Sequence, residues 1–197
     1  MKNENLLKVF AKYVSLNVLG MIALSCYILA DTFFVSKALG AAGLAALNLA
    51  IPVYNFIHGS GLMIGMGGGT KYSIYKSQGK KEAADQVFTN AAVAMICIAA
   101  IFFLAGLFAS APIARFLGGN EQTFEMARLY LQVLLLFTPM FMLNNLLLCF
   151  VRNDGAPQLS MAAMITGSLS NVVLDYVFMF PFGMGIFGAV LATGLAP

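Results

Sequence analysis

The sequence predicts an all-α membrane protein, a polytopic helix bundle with about six transmembrane helices. Of its 197 residues, 60% are hydrophobic and 10% are charged, whereas soluble domains are roughly 45–50% apolar and about 25% charged. The mean hydropathy is +0.86. Apolar runs long enough to cross a bilayer, about 20 residues each, alternate with short polar or glycine-rich breaks. Such a chain cannot cover itself with polar surface in water.

These runs predict five complete spans and the start of a sixth. The helices are predicted near residues 10–36, 44–69, 87–111, 127–151 and 158–182, with a sixth that begins near 185 and is cut off at Pro197. The breaks contain turn-forming residues at Gly40 and Gly43, Ser77–Lys81, Gly118–Asn120, Asn153–Pro157 and Pro181–Gly185. Pro52 and Pro139 lie within spans and predict kinks. The glycines from Gly61 to Gly69 predict a smooth helix face for close helix contact.

The distribution of basic residues predicts a cytoplasmic N-terminus. With that orientation the inner segments hold eight basic residues: Lys2, Lys8, Lys12, Lys71, Lys76, Lys80, Lys81 and Arg152. The outer segments hold three: Lys37, Arg115 and Arg128. This is the positive-inside bias of membrane proteins. Candidates for anchoring at the membrane interfaces are Tyr13, Tyr72, Tyr75, Tyr130 and Tyr176.

Two acidic residues lie inside the apolar spans. Asp31 is about five residues, roughly 7–8 Å, below the outer end of the first helix, and Asp175 is about seven residues, roughly 10 Å, below the outer end of the fifth. An acid in a membrane helix costs about 2.5–3.5 kcal/mol on insertion scales, so its side chain is expected to face a polar interior. Tyr27 and Asn171 each precede one of these acids by four residues and share its helix face. We predict that all four groups surround one cavity.

This set of groups suits a small hard cation or a proton. Carboxylate and amide oxygens are suitable ligands for Na⁺, by analogy with other hard-cation sites. Two nearby carboxylates also repel each other, so one of them can hold a proton. The alternative is that each acid only accepts local hydrogen bonds and stabilises packing. We favour a functional role because ionisable residues inside membranes are usually functional.

The remaining motifs in the sequence do not indicate an enzyme. Gly183–Gly188 matches G-x-G-x-x-G literally, but the dinucleotide motif needs a preceding strand, and here membrane helices flank it. His58, the only histidine, has no partner at ligand spacing and is interpreted as a packed or cavity-facing residue. We expect no catalytic group, no cofactor and no metal other than Na⁺. The small net charge of +3 gives no reason to expect a nucleic-acid partner.

Several stretches resemble the multidrug and toxic compound extrusion (MATE) transporters. They are Tyr27–Ser36, Leu44–Val53, Arg152–Pro157, and Asn171–Asp175 running into Gly185–Thr193. They follow one another in the family's order over nearly the whole chain, and Asp31 together with Asn171-x-x-x-Asp175 is their most specific part. The chain departs from the pattern at Leu148, where some relatives have asparagine, and at Asn153, which replaces a common glycine.

The resemblance implies a secondary active antiporter of the cell (inner or plasma) membrane. In such a transporter, entry of Na⁺ or H⁺ drives the export of drugs, often organic cations. The matching positions imply that Asp31, Asn171 and Asp175 bind the coupling ion. Tyr27 and Thr193 are weaker candidates that would line the same cavity.

The resemblance also implies an architecture of two six-helix lobes in one chain. Residues 1–197 would correspond to the N-terminal lobe. A transporter needs two bundles that move against each other around the site. We therefore expect a second six-helix lobe, or alternatively a second copy, to complete it. Two other functions stay open: a flippase for lipid-linked precursors, which a cationic cavity would favour, and a non-transporting membrane fragment.

Overall fold

The computed structural model describes residues 6–196, which form α-helices and no strand. The helices are α1 (Leu6–Ser77), α2 (Lys81–Phe108), α3 (Ser110–Phe116), α4 (Phe124–Leu136), α5 (Thr138–Asn153), α6 (Pro157–Met179) and α7 (Gly185–Leu195). Lys2, predicted on the inner side, and Pro197, the predicted cut-off of the sixth span, lie outside the described residues. The prediction of an all-α fold is confirmed.

The first helix is far longer than one membrane span and is broken once. α1 has 72 residues, of which only Gly40 has a non-helical backbone, with φ 64° and ψ −155°. This conformation is essentially restricted to glycine. The hydroxyl oxygens of Tyr27 and Tyr54 are 3.1 Å apart, whereas a straight helix would separate these residues by roughly 40 Å. α1 therefore folds back at Gly40 into two limbs, the first limb (residues 6–39) and the second limb (residues 41–77).

The number of membrane crossings agrees with the sequence prediction. Within residues 6–196, α1, α2 and α6 are each long and apolar enough to cross a membrane, and α4 with α5 forms a further span bent by 49°. Each limb of α1 exceeds the length of about 20 residues that a crossing requires. We therefore count five crossings, followed by α7, whose 11 residues are the start of a sixth.

The two intrahelical prolines have different consequences. Pro139 stands at the beginning of α5, where the chain bends by 49° relative to α4, so the predicted kink is confirmed there. The second limb continues through Pro52 with helical backbone angles. The other predicted breaks each contain a glycine with positive φ, namely Gly79, Gly118, Gly155 and Gly183. Gly43, also predicted as a break, is helical.

The glycine-rich face of the second limb packs against α5. A Cβ atom on Gly61 would lie 3.0 Å from Asn145 Nδ2, and one on Gly65 would lie 3.0 Å from Cys149 Sγ. These helices therefore approach more closely than side chains would permit, as the glycine spacing predicts. The outer surface carries large exposed apolar side chains, such as Leu29 (70%). In a bilayer such a surface is covered by lipid.

Candidate functional site

The first predicted site residue, Asp31, lies on the inner face of the first limb. Only 7% of its surface is exposed, and its Oδ1 is buried without a hydrogen-bond partner among residues 6–196. It lies nine residues before Gly40, or roughly 13 Å along the limb. A buried carboxylate oxygen without a partner is costly, so this atom has an unused capacity to bind a proton or a cation.

Asp175, Asn171 and Thr193 form a connected group between α6 and α7. Asp175 is fully buried and Asn171 is 2% exposed. In the orientation that satisfies both ends of its amide, Asn171 Nδ2 donates to Asp175 Oδ2 at 2.9 Å, and Asn171 Oδ1 accepts from the backbone N–H of Thr193 at 3.3 Å. The other carboxylate oxygen, Asp175 Oδ1, is buried without a described partner. The Thr193 hydroxyl donates to the Ala189 carbonyl at 3.0 Å.

The structure places the two carboxylates at the same level of the bundle, because the ring of Phe34, three residues after Asp31, lies 6.2 Å from the ring of Tyr176, which follows Asp175. A further residue, Tyr130 of α4, lies within electrostatic reach of both and next to the Thr193 side chain. Tyr130 is only 5% exposed, so its prediction as an interfacial anchor is wrong. The sequence does contain a signal for this position, because Ala127, Tyr130, Leu131 and Leu134 are buried with the spacing of one helix face. We call Asp31, Asp175, Asn171, Thr193 and Tyr130 the carboxylate cluster.

Tyr27, the remaining predicted residue, is bonded to the second limb. Its hydroxyl lies 3.1 Å from that of Tyr54. No hydrogen bond joins Tyr27 to Asp31 within the described part of the chain, although both lie on one side of the first limb. The sequence did not predict Tyr54 as a site residue, since its contact with Tyr27 depends on how the two limbs face each other.

A cavity of about 590 Å³ borders this cluster. Drug-binding pockets are roughly 300–1,000 Å³. Its wall includes Tyr27, Tyr54, Asn171 and Thr193, whereas neither carboxylate is part of the wall. The amide of Asn171 therefore stands between the cavity and Asp175. His58 also lines the cavity, in agreement with its prediction as a packed or cavity-facing residue.

The cavity wall is mainly apolar and carries little charge. Among its described residues only Arg152 is ionised, near the end of α5. The Nε of Arg152 is buried without a described partner. With one guanidinium, the part of the cavity formed by residues 6–196 is not cationic, whereas a cationic cavity would have favoured the flippase alternative.

The cluster can hold a proton or a monovalent cation. It offers two unpaired carboxylate oxygens, a carboxamide, a threonine hydroxyl and a phenol. These are oxygen ligands of the kind that hard cations prefer. No group of three or more His, Cys, Asp or Glu residues that could hold a metal ion occurs among residues 6–196.

Comparison with known proteins identifies the family. The family model MatE matches residues 17–177. The chain belongs to this family, the MATE transporters. Among curated proteins, the multidrug export protein MepA of Staphylococcus saprophyticus is 30% identical over 155 residues, which are 78% of this chain and 34% of the relative. MepA of Staphylococcus aureus is 31% identical over 155 residues, with the same coverage of this chain and of the relative.

Solved structures agree with the fold. A multidrug resistance MATE family transporter in an outward-facing conformation has a TM-score of 0.86 at 30% identity, covering 93% of this chain and 41% of that one. A MOP superfamily transporter from Pyrococcus furiosus, described as having a binding pocket of reverse polarity, gives the same values. The chain therefore spans about a third of the length of the curated relatives that it matches. This MATE chain is a multi-pass membrane protein, as predicted.

Proposed function

We propose that this chain is the N-terminal lobe of a secondary active antiporter that exports drugs or organic cations in exchange for Na⁺ or H⁺. The observation that carries the proposal is the pair of buried carboxylates, Asp31 and Asp175, each with one buried oxygen that has no described partner. Two such charges cannot both stay ionised and unpaired without a large cost. A coupling ion bound between them would remove that cost.

The coupling ion would act on the cavity through Asn171. This side chain bonds both Asp175 Oδ2 and the backbone of Thr193, and it forms part of the cavity wall. When a proton or Na⁺ neutralises Asp175, the hydrogen bond from the amide weakens, because bonds to an ionised acceptor are roughly twice as strong as neutral ones. Asn171 and the part of α7 around Thr193 can then shift, which changes the shape of the cavity that holds the drug.

The second half of the site is proposed to come from a second six-helix lobe. MATE relatives are about three times as long as the matched region, and alternating access requires one bundle to move against another. Within residues 6–196 the cavity is bounded by α1, α5, α6 and α7. The other lobe would close its open side and complete the binding surface for an organic cation.

The test is ethidium efflux from cells that express the full reading frame containing these residues. Asp31→Asn and Asp175→Asn keep the size of the side chain but remove its charge, and each is expected to abolish ethidium efflux. Asp85→Asn is the matched control, because Asp85 is an exposed acid at the start of α2; efflux by this variant should equal that of the parent protein. Normal efflux by both site variants would refute the proposal.

The same cells distinguish the coupling ion. An imposed Na⁺ gradient and an imposed pH gradient are applied separately, with the other gradient collapsed. The gradient that drives efflux in the parent protein, and fails to do so in Asp175→Asn, identifies the ion. Efflux that neither gradient drives would exclude antiport with Na⁺ or H⁺.

A further inference from the structure

A second polar group lines the cavity at a distance from the carboxylate cluster. Tyr54 and His58 are one helical turn apart on the second limb, and their rings are stacked with centroids 5.9 Å apart and an angle of 11° between planes. Asn145 of α5 is 5% exposed, and its Nδ2 lies 3.2 Å from His58 Nδ1. His58 and Asn145 both line the cavity. His58 is roughly 27 Å along its limb from Gly40, whereas Asp31 is roughly 13 Å from it along the other limb.

The neighbours of this pair hold it in place. A Cβ atom on Gly61 would lie 3.0 Å from Asn145 Nδ2, so the glycine leaves the space in which the amide rests against the second limb. On the other side, the ring of Tyr54 packs edge-on against Phe141, with centroids 5.9 Å apart and an angle of 87°. Groups fixed in this way lose little conformational entropy when they bind a ligand.

The pair keeps one donor and one acceptor free for a ligand. When Asn145 Nδ2 donates to His58 Nδ1, the neutral ring carries its hydrogen on Nε2, and the free groups are His58 Nε2–H and Asn145 Oδ1. With the reverse roles, the free groups are the amide N–H and the unprotonated Nε2. The described residues provide no bond to either remaining atom, and neither is sealed from the cavity. A hydrogen-bond acceptor therefore faces the cavity in both arrangements.

We propose that His58 and Asn145 are specificity-determining residues that select planar aromatic substrates carrying N–H groups. The N–H group would donate to the free acceptor of the pair, while the aromatic part would lie in the apolar cavity beside Tyr54 and Phe141. The substrate class rests on the export function proposed above. A site built to form a hydrogen bond discriminates against analogues that cannot form it, because its own polar groups are then left unpaired.

Two aromatic cations with different hydrogen-bonding ability test this assignment. Ethidium has exocyclic amino groups, whereas tetraphenylphosphonium has neither donor nor acceptor. Binding of both is measured on the purified protein expressed from the full reading frame, without any ion gradient. His58→Phe and Asn145→Leu are each expected to weaken ethidium binding by about five- to tenfold, the loss of about one hydrogen bond. Tetraphenylphosphonium binding should change by less than about twofold.

Control variants separate recognition from packing. Asn144→Leu changes the neighbouring cavity-lining asparagine, which takes no part in the pair, and should leave the preference between the two cations unchanged. His58→Gln restores a partner for Asn145 and should recover most of the ethidium binding. Equal losses for both cations in His58→Phe would mean that the pair only stabilises the fold, and an unchanged ethidium affinity would mean that the pair does not contact the substrate; either result overturns the proposal.

The failure of this proposal can be distinguished from the failure of the antiport proposal. Binding without a gradient does not depend on ion coupling, so an inactive antiporter can still show the ethidium preference. Conversely, if efflux depends on Asp31 and Asp175 but the two cations respond alike to His58→Phe, the antiport proposal stands and the recognition role of the pair falls.

Discussion

The contact between the second limb and α5 predicts different effects for two glycines on the same helix. Gly65 is buried, and a Cβ atom there would lie 3.0 Å from Cys149 Sγ and 3.2 Å from the backbone oxygen of Asn145. Gly67 is exposed, and a Cβ atom there would meet nothing within 4 Å. Both residues are helical. Gly65→Ala and Gly67→Ala therefore make the same chemical change in one helix, once inside a contact and once outside it.

The difference in the free energy of unfolding follows from this geometry. Replacing glycine by alanine in a helix interior stabilises it by roughly 0.5–1 kcal/mol, and this gain is common to both variants. Only Gly65→Ala overpacks the interface, which typically costs about 1–3 kcal/mol, because a backbone oxygen cannot rotate out of the way. We therefore expect Gly65→Ala to be about 1–3 kcal/mol less stable than Gly67→Ala.

Thermal unfolding of the purified protein in detergent measures this difference. A change of 1 kcal/mol shifts Tm by roughly 2–4 °C for a protein of 150–250 residues, so Gly65→Ala is expected to unfold about 2–12 °C below Gly67→Ala. Equal Tm values for the two variants would refute the close packing of the second limb on α5. A fall in the Tm of Gly67→Ala below that of the parent would instead show that Gly67 contacts protein.

Three further predictions concern single side chains. Asn171→Ala removes the bond to Asp175 and is expected to lower the free energy of unfolding by about 1.5–3 kcal/mol, the range for a hydrogen bond to a charged group; an unchanged Tm would contradict the contact. Tyr130→Phe removes only a hydroxyl at the carboxylate cluster, and we expect weaker ion-driven ethidium efflux at unchanged membrane abundance, whereas parent-like efflux would exclude a role for this hydroxyl. Gly40→Ala forces alanine into a backbone region reserved for glycine and should cost about 1–3 kcal/mol by thermal unfolding, while Gly59→Ala, with open space and ordinary φ, should not destabilise the protein.

The helices and their boundaries could be predicted well because they depend on local sequence. Apolar runs determine the spans, and glycines with positive φ end them at Gly79, Gly118 and Gly155. One predicted boundary is too late in the sequence. α2 begins at Lys81 rather than near 87, because its first two turns are polar and were not counted as part of the apolar span. α3 was absent from the prediction, since a helix of 7 residues is too short to show a distinct periodicity.

The site could be predicted only in part because contacts between helices depend on helix rotation. The acids could be found because a charge in an apolar run is conspicuous, and the Asn171–Asp175 contact follows from their spacing of four residues. Tyr130, Tyr54 and the His58–Asn145 pair could not be found in this way. Each acts on a residue of another helix or limb that is distant in sequence. His58 and Asn145, for example, are 87 positions apart, and no local pattern specifies such a contact.

The single-residue turn at Gly40 has a consequence for how the chain enters the membrane. Because helix continues on both sides of Gly40, the two limbs have no polar connecting loop that must be translocated. They can therefore insert together as a hairpin, in which Asp31 is shielded by the opposite limb from the start. Inserting its charge costs about 2.5–3.5 kcal/mol. The apolar residues of both limbs then offset this cost, since each large apolar residue favours insertion by roughly 0.3–0.6 kcal/mol. The burial of Asp31 during insertion thus depends on a glycine that lies roughly 13 Å from it along the helix.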